Sequence, residues 1–134
     1  MLWNIVHFQG CFHVKHLSYI PLIHLPASYI VYSKGHWTSF LILDKKTCLY
    51  FDSLGSKVLN PEIITFLSSY SFIKVKCNKM QIQHDSSILC GLYCCLFVAL
   101  VDSLEAFNCF LSLFHKNNLC SNDEIIMNII NLLK

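Results

Sequence analysis

Cys90, His36, Asp52 and Gln83 are the side chains of this 134-residue chain whose types and placement could together do covalent chemistry. Cysteine catalysis needs a thiolate, a proton acceptor beside it, a group that holds the acceptor's ring, and donors for an oxyanion. Cys90 sits close to the start of an apolar, helix-forming run, where the helix dipole and free backbone N–H groups favour a thiolate. Gly91 follows it and leaves the backbone uncluttered where a substrate would approach. Taken alone, Cys90 reads more plainly as an inert core thiol. His36 opens one apolar stretch after Lys34-Gly35, and Asp52 closes the next. If these stretches are strands paired through Asp44-Lys45-Lys46, strand start faces strand end, and the carboxylate comes within hydrogen-bonding reach of the imidazole. Either residue alone is an ordinary loop residue; the hairpin is what couples them. Gln83 lies seven residues before Cys90 in the polar loop Gln83–Ser87, from which its amide could join the Cys90 N–H as a second oxyanion donor. His84 is a weaker base candidate than His36, because no partner strand fixes it; Asp85 is a similar decoy. There is no Gly-rich phosphate loop and no Ser-centred elbow.

These residues need a scaffold, and the chain supplies its signals. Ala27–Ser33, Trp37–Leu43 and Cys48–Phe51 are rich in β-branched and aromatic residues and read as an antiparallel meander, with a tight turn between the last two strands. Asn60 caps a helix with Pro61 at its first position and Glu62 in its first turn, running to about Ser69. Phe72–Lys76 alternates apolar and polar residues and reads as a further strand. Ser86 and Ser87 can cap the apolar helix that carries Cys90. Two more helices follow near Ser103–Leu113 and Asp123–Leu133, the last with a capping box made by Ser121 and Glu124. Residues 1–26, interrupted by Pro21 and Pro26, read as mixed loop and short helix. A sheet in the middle with helices after it is an α+β pattern, and the length fits a single domain over residues 1–134.

Composition narrows the function class. Hydrophobic residues make up 54% and charged residues 13%, which excludes a disordered tail. A net charge of +2 is too small to argue for a strong DNA-binding surface. The longest apolar run, Ile88–Val101, has 14 residues before Asp102, fewer than the roughly 18 of a membrane span. The N-terminus lacks the basic and long apolar regions of a signal peptide, so the expectation is a soluble, intracellular protein that is not secreted and has no membrane partner. Eight cysteines without a C-x-x-C pair and without a secreted context point away from a disulfide framework or a zinc site. No metal is expected.

Taken together, Gly35-His36-Trp37, Tyr50-Phe51-Asp52-Ser53-Leu54-Gly55 and the run from Gln83 through Cys90-Gly91-Leu92-Tyr93-Cys94-Cys95 resemble the adenovirus-type (adenain-like) endopeptidases, of the clan that also holds the SUMO-specific Ulp proteases. The chain order His, Asp, Gln, Cys is itself discriminating, since ordinary papain-like enzymes place Cys first. The seven-residue Gln-to-Cys step and Leu89 before the Cys favour the viral branch. The chain resembles most the compact proteases of Polinton/Maverick elements and adintoviruses, from about Phe8 to the C-terminus. The resemblance implies a papain-like cysteine protease fold of the adenain/Ulp type, with a central mixed or antiparallel sheet packed on a Cys-bearing helix. It also implies a His36–Asp52–Cys90 triad with Gln83 in the oxyanion hole, and Trp37 and Gly91 at the substrate. The implied work is the cutting of capsid or core precursor proteins by a monomer, in the host nucleus or cytoplasm and in the virion. The sequence departs from the adenoviral pattern in having Asp52 where that enzyme has Glu, and in a short N-terminus that reads as a missing helix. The adenoviral enzyme is activated by a cysteine-linked peptide and by DNA. Cys77 lies in the general region of that cysteine, but its spacing from Gln83 does not match, so dependence on a peptide or DNA activator stays open. No other cofactor is implied.

Three rival readings differ in class. A Ulp-like isopeptidase would need a docking surface for a folded ubiquitin-like modifier. A catalytically decayed relic would only bind, although all four catalytic-type residues are present. A thiol-rich metal or redox protein would hold zinc or a functional disulfide.

Overall fold

A computed structural model describes residues 2, 5–21, 24–55, 59–70 and 74–133. Five strands form one sheet in sequence order: β1 (Phe8–His13), β2 (Ala27–Ser33), β3 (His36–Ile42), β4 (Thr47–Phe51) and β5 (Lys74–Cys77). The central pairs β2/β3 and β3/β4 are antiparallel, and the outer pairs β1/β2 and β4/β5 are parallel. The helices are α1 (Pro61–Ser68), α2 (Cys90–Leu100), α3 (Leu104–Ser112) and α4 (Asn122–Leu133), with 3-10 turns at Val14–Tyr19 and Leu119–Ser121. This is a mixed α+β architecture.

The meander follows the local signals. Lys34 and Gly35 both have positive φ, 52° and 80°, the backbone of a two-residue type I′ turn whose twist suits a hairpin. That turn closes on the pair Ser33↔His36, so His36 stands directly against a rigid connection. At the far end of β3, one carboxylate oxygen of Asp44 accepts the N–H groups of Lys46 and Thr47 at 2.8 and 2.9 Å and fixes the second turn.

Strand alternation divides the sheet's side chains between two cores. Tyr29, Val31, Phe40, Ile42, Cys48 and Tyr50 face α1 (Ile63, Phe66, Leu67) and the first 3-10 turn (Val14, Leu17). Ile30, Leu41, Leu49 and Phe51 face α2, with Tyr93, Leu96, Phe97 and Val98, backed by Phe107 and Phe110 of α3 and Ile126 of α4. The sheet is thus covered on both faces, and α2 is apolar all round because it is packed between sheet and helices.

Three sequence expectations are corrected and one, the fifth strand, holds over its described residues. Residues 1–26 contain a strand, β1, hidden because a bulge between Phe8 and Cys11 breaks its alternation. The strand expected at Phe72–Lys76 is seen at Lys74–Cys77, and Phe72 and Ile73 lie outside the described residues. Ser86 and Ser87 do not cap α2: its N-cap is Leu89, without a side-chain cap bond, and the Ser87 hydroxyl instead accepts the Leu89 N–H at 3.2 Å. Nor do Ser121 and Glu124 form a capping box. Ser121 belongs to the 3-10 turn that runs into α4, and its hydroxyl is turned back to donate to the Asn118 carbonyl at 2.9 Å. Asn60 does cap α1, accepting the Glu62 N–H at 2.8 Å, with Pro61 as the first helical residue.

Candidate active site

The pairing of β3 with β4 sets Ser39 opposite Phe51. One further step places Asp52 across from Thr38, on the same face as His36, two residues along: a diagonal neighbour that long side chains can bridge. They do. His36 Nε2 donates to Asp52 Oδ1 at 2.7 Å, with the ring 24% and the carboxylate 12% exposed. Because the carboxylate only accepts, this bond fixes the proton on Nε2 and leaves Nδ1 as the basic nitrogen of the neutral ring. Among the described residues Nδ1 has no hydrogen-bond partner.

Asp52 is itself held from three sides. Its Oδ1 accepts the Leu54 N–H at 2.9 Å, its N–H donates to Asn78 Oδ1 at 2.9 Å, and its carbonyl accepts Asn78 Nδ2 at 2.6 Å. Asn78 is 3% exposed and follows β5, so the fifth strand reaches across to clamp the end of the fourth. The tight turn after Asp52 needs Gly55, at φ +75°, where an added Cβ would sit 2.9 Å from the Gln81 N.

Cys90 is the first residue of α2 and is partly exposed. A Cβ built on Gly91 would lie 3.8 Å from Trp37 Cδ1, so the residue after Cys90 packs beside the residue after His36. Cys94, one turn into α2, lies within electrostatic reach of both Cys90 and Asp52; its thiol is pushed well up, chiefly by complete burial. The nucleophile candidate and the His36–Asp52 pair therefore stand at one end of the sheet. No hydrogen bond joins Cys90 to His36 in this structure. Burial also pushes up the thiols of Cys48, Cys77 and Cys95, which pack against the two cores.

Gln83 is 2% exposed, unlike the solvated residue that a polar loop suggests. Ser53, the neighbour of Asp52, donates its hydroxyl to Gln83 Oε1, and the Ser53 carbonyl accepts the N–H groups of Ile82 and Gln83, each at 2.8 Å. Gln83 Nε2 donates one proton to the Ser87 carbonyl at 2.9 Å. Because the Ser87 carbonyl only accepts, the amide cannot flip, and among the described residues its second N–H has no hydrogen-bond partner. His84, by contrast, closes a local loop in which its Nδ1 pairs with the Ser86 hydroxyl at 2.7 Å and accepts the Ser86 N–H at 3.1 Å. Asp85 accepts from Gln81 Nε2 at 2.6 Å.

A cavity of about 330 Å³ opens beside the His36–Asp52 pair, lined also by Thr38, Tyr50, Asn60 and Lys34. Among the described residues no group of three or more His, Cys, Asp or Glu side chains could hold a metal ion. No helix among them is long and apolar enough to cross a membrane. Ser53 and Asn78 were not singled out by the sequence. Ser53 stands inside the Tyr50–Gly55 motif, but Asn78 acts on a backbone 26 residues away and leaves no local signal.

No protein-family model matches the chain, and no curated protein matches it by sequence. Solved structures do match. The crystal structure of the ASFV pS273R protease is similar over 75% of this chain, with a TM-score of 0.52 at 16% identity. This chain spans 42% of that protease's length. The central domain of the uncharacterized Lpg1148 protein from Legionella pneumophila is similar over 92% of this chain and 85% of that one, with a TM-score of 0.50 at 14% identity. At these identities the likeness is one of fold alone, a mixed α+β architecture shared with both structures.

Proposed function

We propose that this chain is a cysteine-type endopeptidase in which His36, Asp52 and Cys90 form the triad and Gln83 donates to the oxyanion. The observation that carries the reading is the 2.7 Å His36–Asp52 bond, set at the sheet end where α2 presents Cys90. In the mechanism, His36 Nδ1 takes the Cys90 proton and the thiolate attacks the scissile carbonyl. The second N–H of Gln83 and the Cys90 backbone N–H hold the resulting oxyanion. As the C–N bond breaks, His36 returns the proton to the leaving amine; water, deprotonated by the same ring, then releases the acid and restores the thiol. Asp52 keeps the ring oriented and stabilises the imidazolium between these transfers. Trp37 and Gly91 border the substrate. The sequence resemblance to adenain-like proteases of viruses and Polinton elements supplies the substrate class: capsid or core precursor proteins with small residues such as glycine near the cut.

The test is cleavage of glycine-containing precursor peptides, with products located by mass spectrometry. The wild type is expected to cut at defined sites and Cys90→Ala to be inert. Equal cleavage by the two proteins would overturn the triad. Preferential cutting of a SUMO fusion would move the substrate class to that of an isopeptidase.

A further inference from the structure

The loop that carries Gln83 is fastened at both ends by the first two residues of α4. Asn122, fully buried, donates Nδ2 to the Ile82 carbonyl at 2.7 Å and to the His115 carbonyl at 3.0 Å, while its Oδ1 accepts the His115 N–H at 2.8 Å. Asp123 Oδ1 accepts the Ser87 hydroxyl and the Tyr93 hydroxyl, each at 2.9 Å. Ser87 is the residue whose carbonyl takes a proton from Gln83 Nε2, and whose hydroxyl receives the N–H of Leu89, the α2 N-cap. Tyr93 lies in the first turn of α2, three residues after Cys90. One carboxylate oxygen thus joins the Gln83 loop to the helix of the nucleophile. Burial and the Asp123 bond both hold the Tyr93 proton in place, so this hydroxyl donates throughout the working pH range.

We propose that Asp123 is a positioning residue that aims the Gln83 amide through Ser87, with Asn122 anchoring the other end of the loop. The inference rests on the reading of Gln83 as the oxyanion donor. The hydroxyl grip on Ser87 sets the height of the Ser87 carbonyl; that carbonyl takes one Gln83 N–H and so directs the other. Donors to a developing oxyanion act only when fixed in advance, and a shift of about an ångström can cost roughly a hundredfold.

Asp123→Ala removes the acceptor, whereas Asp123→Asn keeps an oxygen in its place. Asp123→Ala is expected to lower kcat about tenfold or more with little change in KM, and Asp123→Asn to restore most of it. In a Gln83→Ala background, Asp123→Ala is expected to cost nothing further. Ser87→Ala, which leaves the Tyr93–Asp123 bond intact, is expected to reproduce the kcat loss should Asp123→Ala fold poorly. The rate of Cys90 alkylation, which does not need the oxyanion donors, should stay at the wild-type value. Independently of activity, the side-chain amide resonances of Gln83 are expected to shift in Asp123→Ala and to keep their positions in Asp123→Asn. Unmoved Gln83 resonances in Asp123→Ala overturn the proposal, as does an undiminished loss in the Gln83→Ala background. Shifted resonances in a protein that cleaves nothing would leave the positioning standing and defeat the protease reading instead.

Discussion

His36 has one ring nitrogen committed to Asp52 and the other, among the described residues, without a hydrogen bond, the state a general base needs before substrate arrives. The roles assigned here separate by substitution. Cys90→Ala is expected to remove turnover, whereas Asp52→Ala should cost less, because the carboxylate orients the base but exchanges no proton. In a serine protease triad the corresponding losses differ by about a hundredfold. Cys109→Ala, at an exposed thiol, is expected to leave kcat/KM unchanged. Peptide cleavage assays on the three variants check the order, and comparable losses at Cys109 and Cys90 would contradict it. The His36–Asp52 pair was legible in the sequence because the hairpin joining them is short and its turn residues are explicit. Ser53, Asn78 and Asp123 were not, since the groups they bind lie 26 to 36 residues away.

At the scale of elements, the site depends on what holds the strand and helix ends. Asn78 exchanges two hydrogen bonds with the Asp52 backbone, so Asn78→Ala would leave the Asp52 N–H unpaired and its carbonyl with only the Gly55 N–H. A cost of about 1–3 kcal/mol is expected, with a fall in kcat as Asp52 loosens; urea denaturation and steady-state kinetics measure the two separately. Gly55→Ala forces a left-handed residue onto an alanine and drives its Cβ into the Gln81 backbone. A loss of about 1 kcal/mol or more is expected, and it should disturb the Gln83 loop as well. The central meander and α1 follow local patterns and could be drawn from the sequence. β1 escaped because its bulge hides the period of two, and the expected cap of α4 failed because a 3-10 turn precedes the helix.

The whole molecule is stabilised from both faces of one sheet, and the site lies at an end that both cores support. On the α2 side Phe97 stacks on Phe51 at 5.5 Å and meets Phe107 and Phe110 edge-on. Phe97→Ala is expected to cost about 3–5 kcal/mol, a large share of the 5–15 kcal/mol typical of a domain, read as a lower urea midpoint. Acid should weaken the fold at the β1/β2 edge. His7 Nδ1 pairs with the Ser28 hydroxyl at 2.8 Å, and burial lowers its pKa, an effect partly opposed by Asp102. A lowered histidine binds its proton more readily when unfolded. Its contribution is therefore complete above about pH 6.5 and is lost as pH falls through the lowered folded value. Denaturation at pH 7.5 and pH 5 should show that loss in the wild type, and less of it in His7→Gln.

If Cys90 and His36 act as one unit, the rate of Cys90 alkylation by iodoacetamide against pH reports it. Mass spectrometry of wild type and His36→Ala would report each cysteine separately. Cys90 is expected to react fast down to about pH 5 in the wild type, and His36→Ala to remove this advantage. A Cys90 whose alkylation slows with falling pH like that of the exposed thiols, or that ignores the loss of His36, would contradict this pairing.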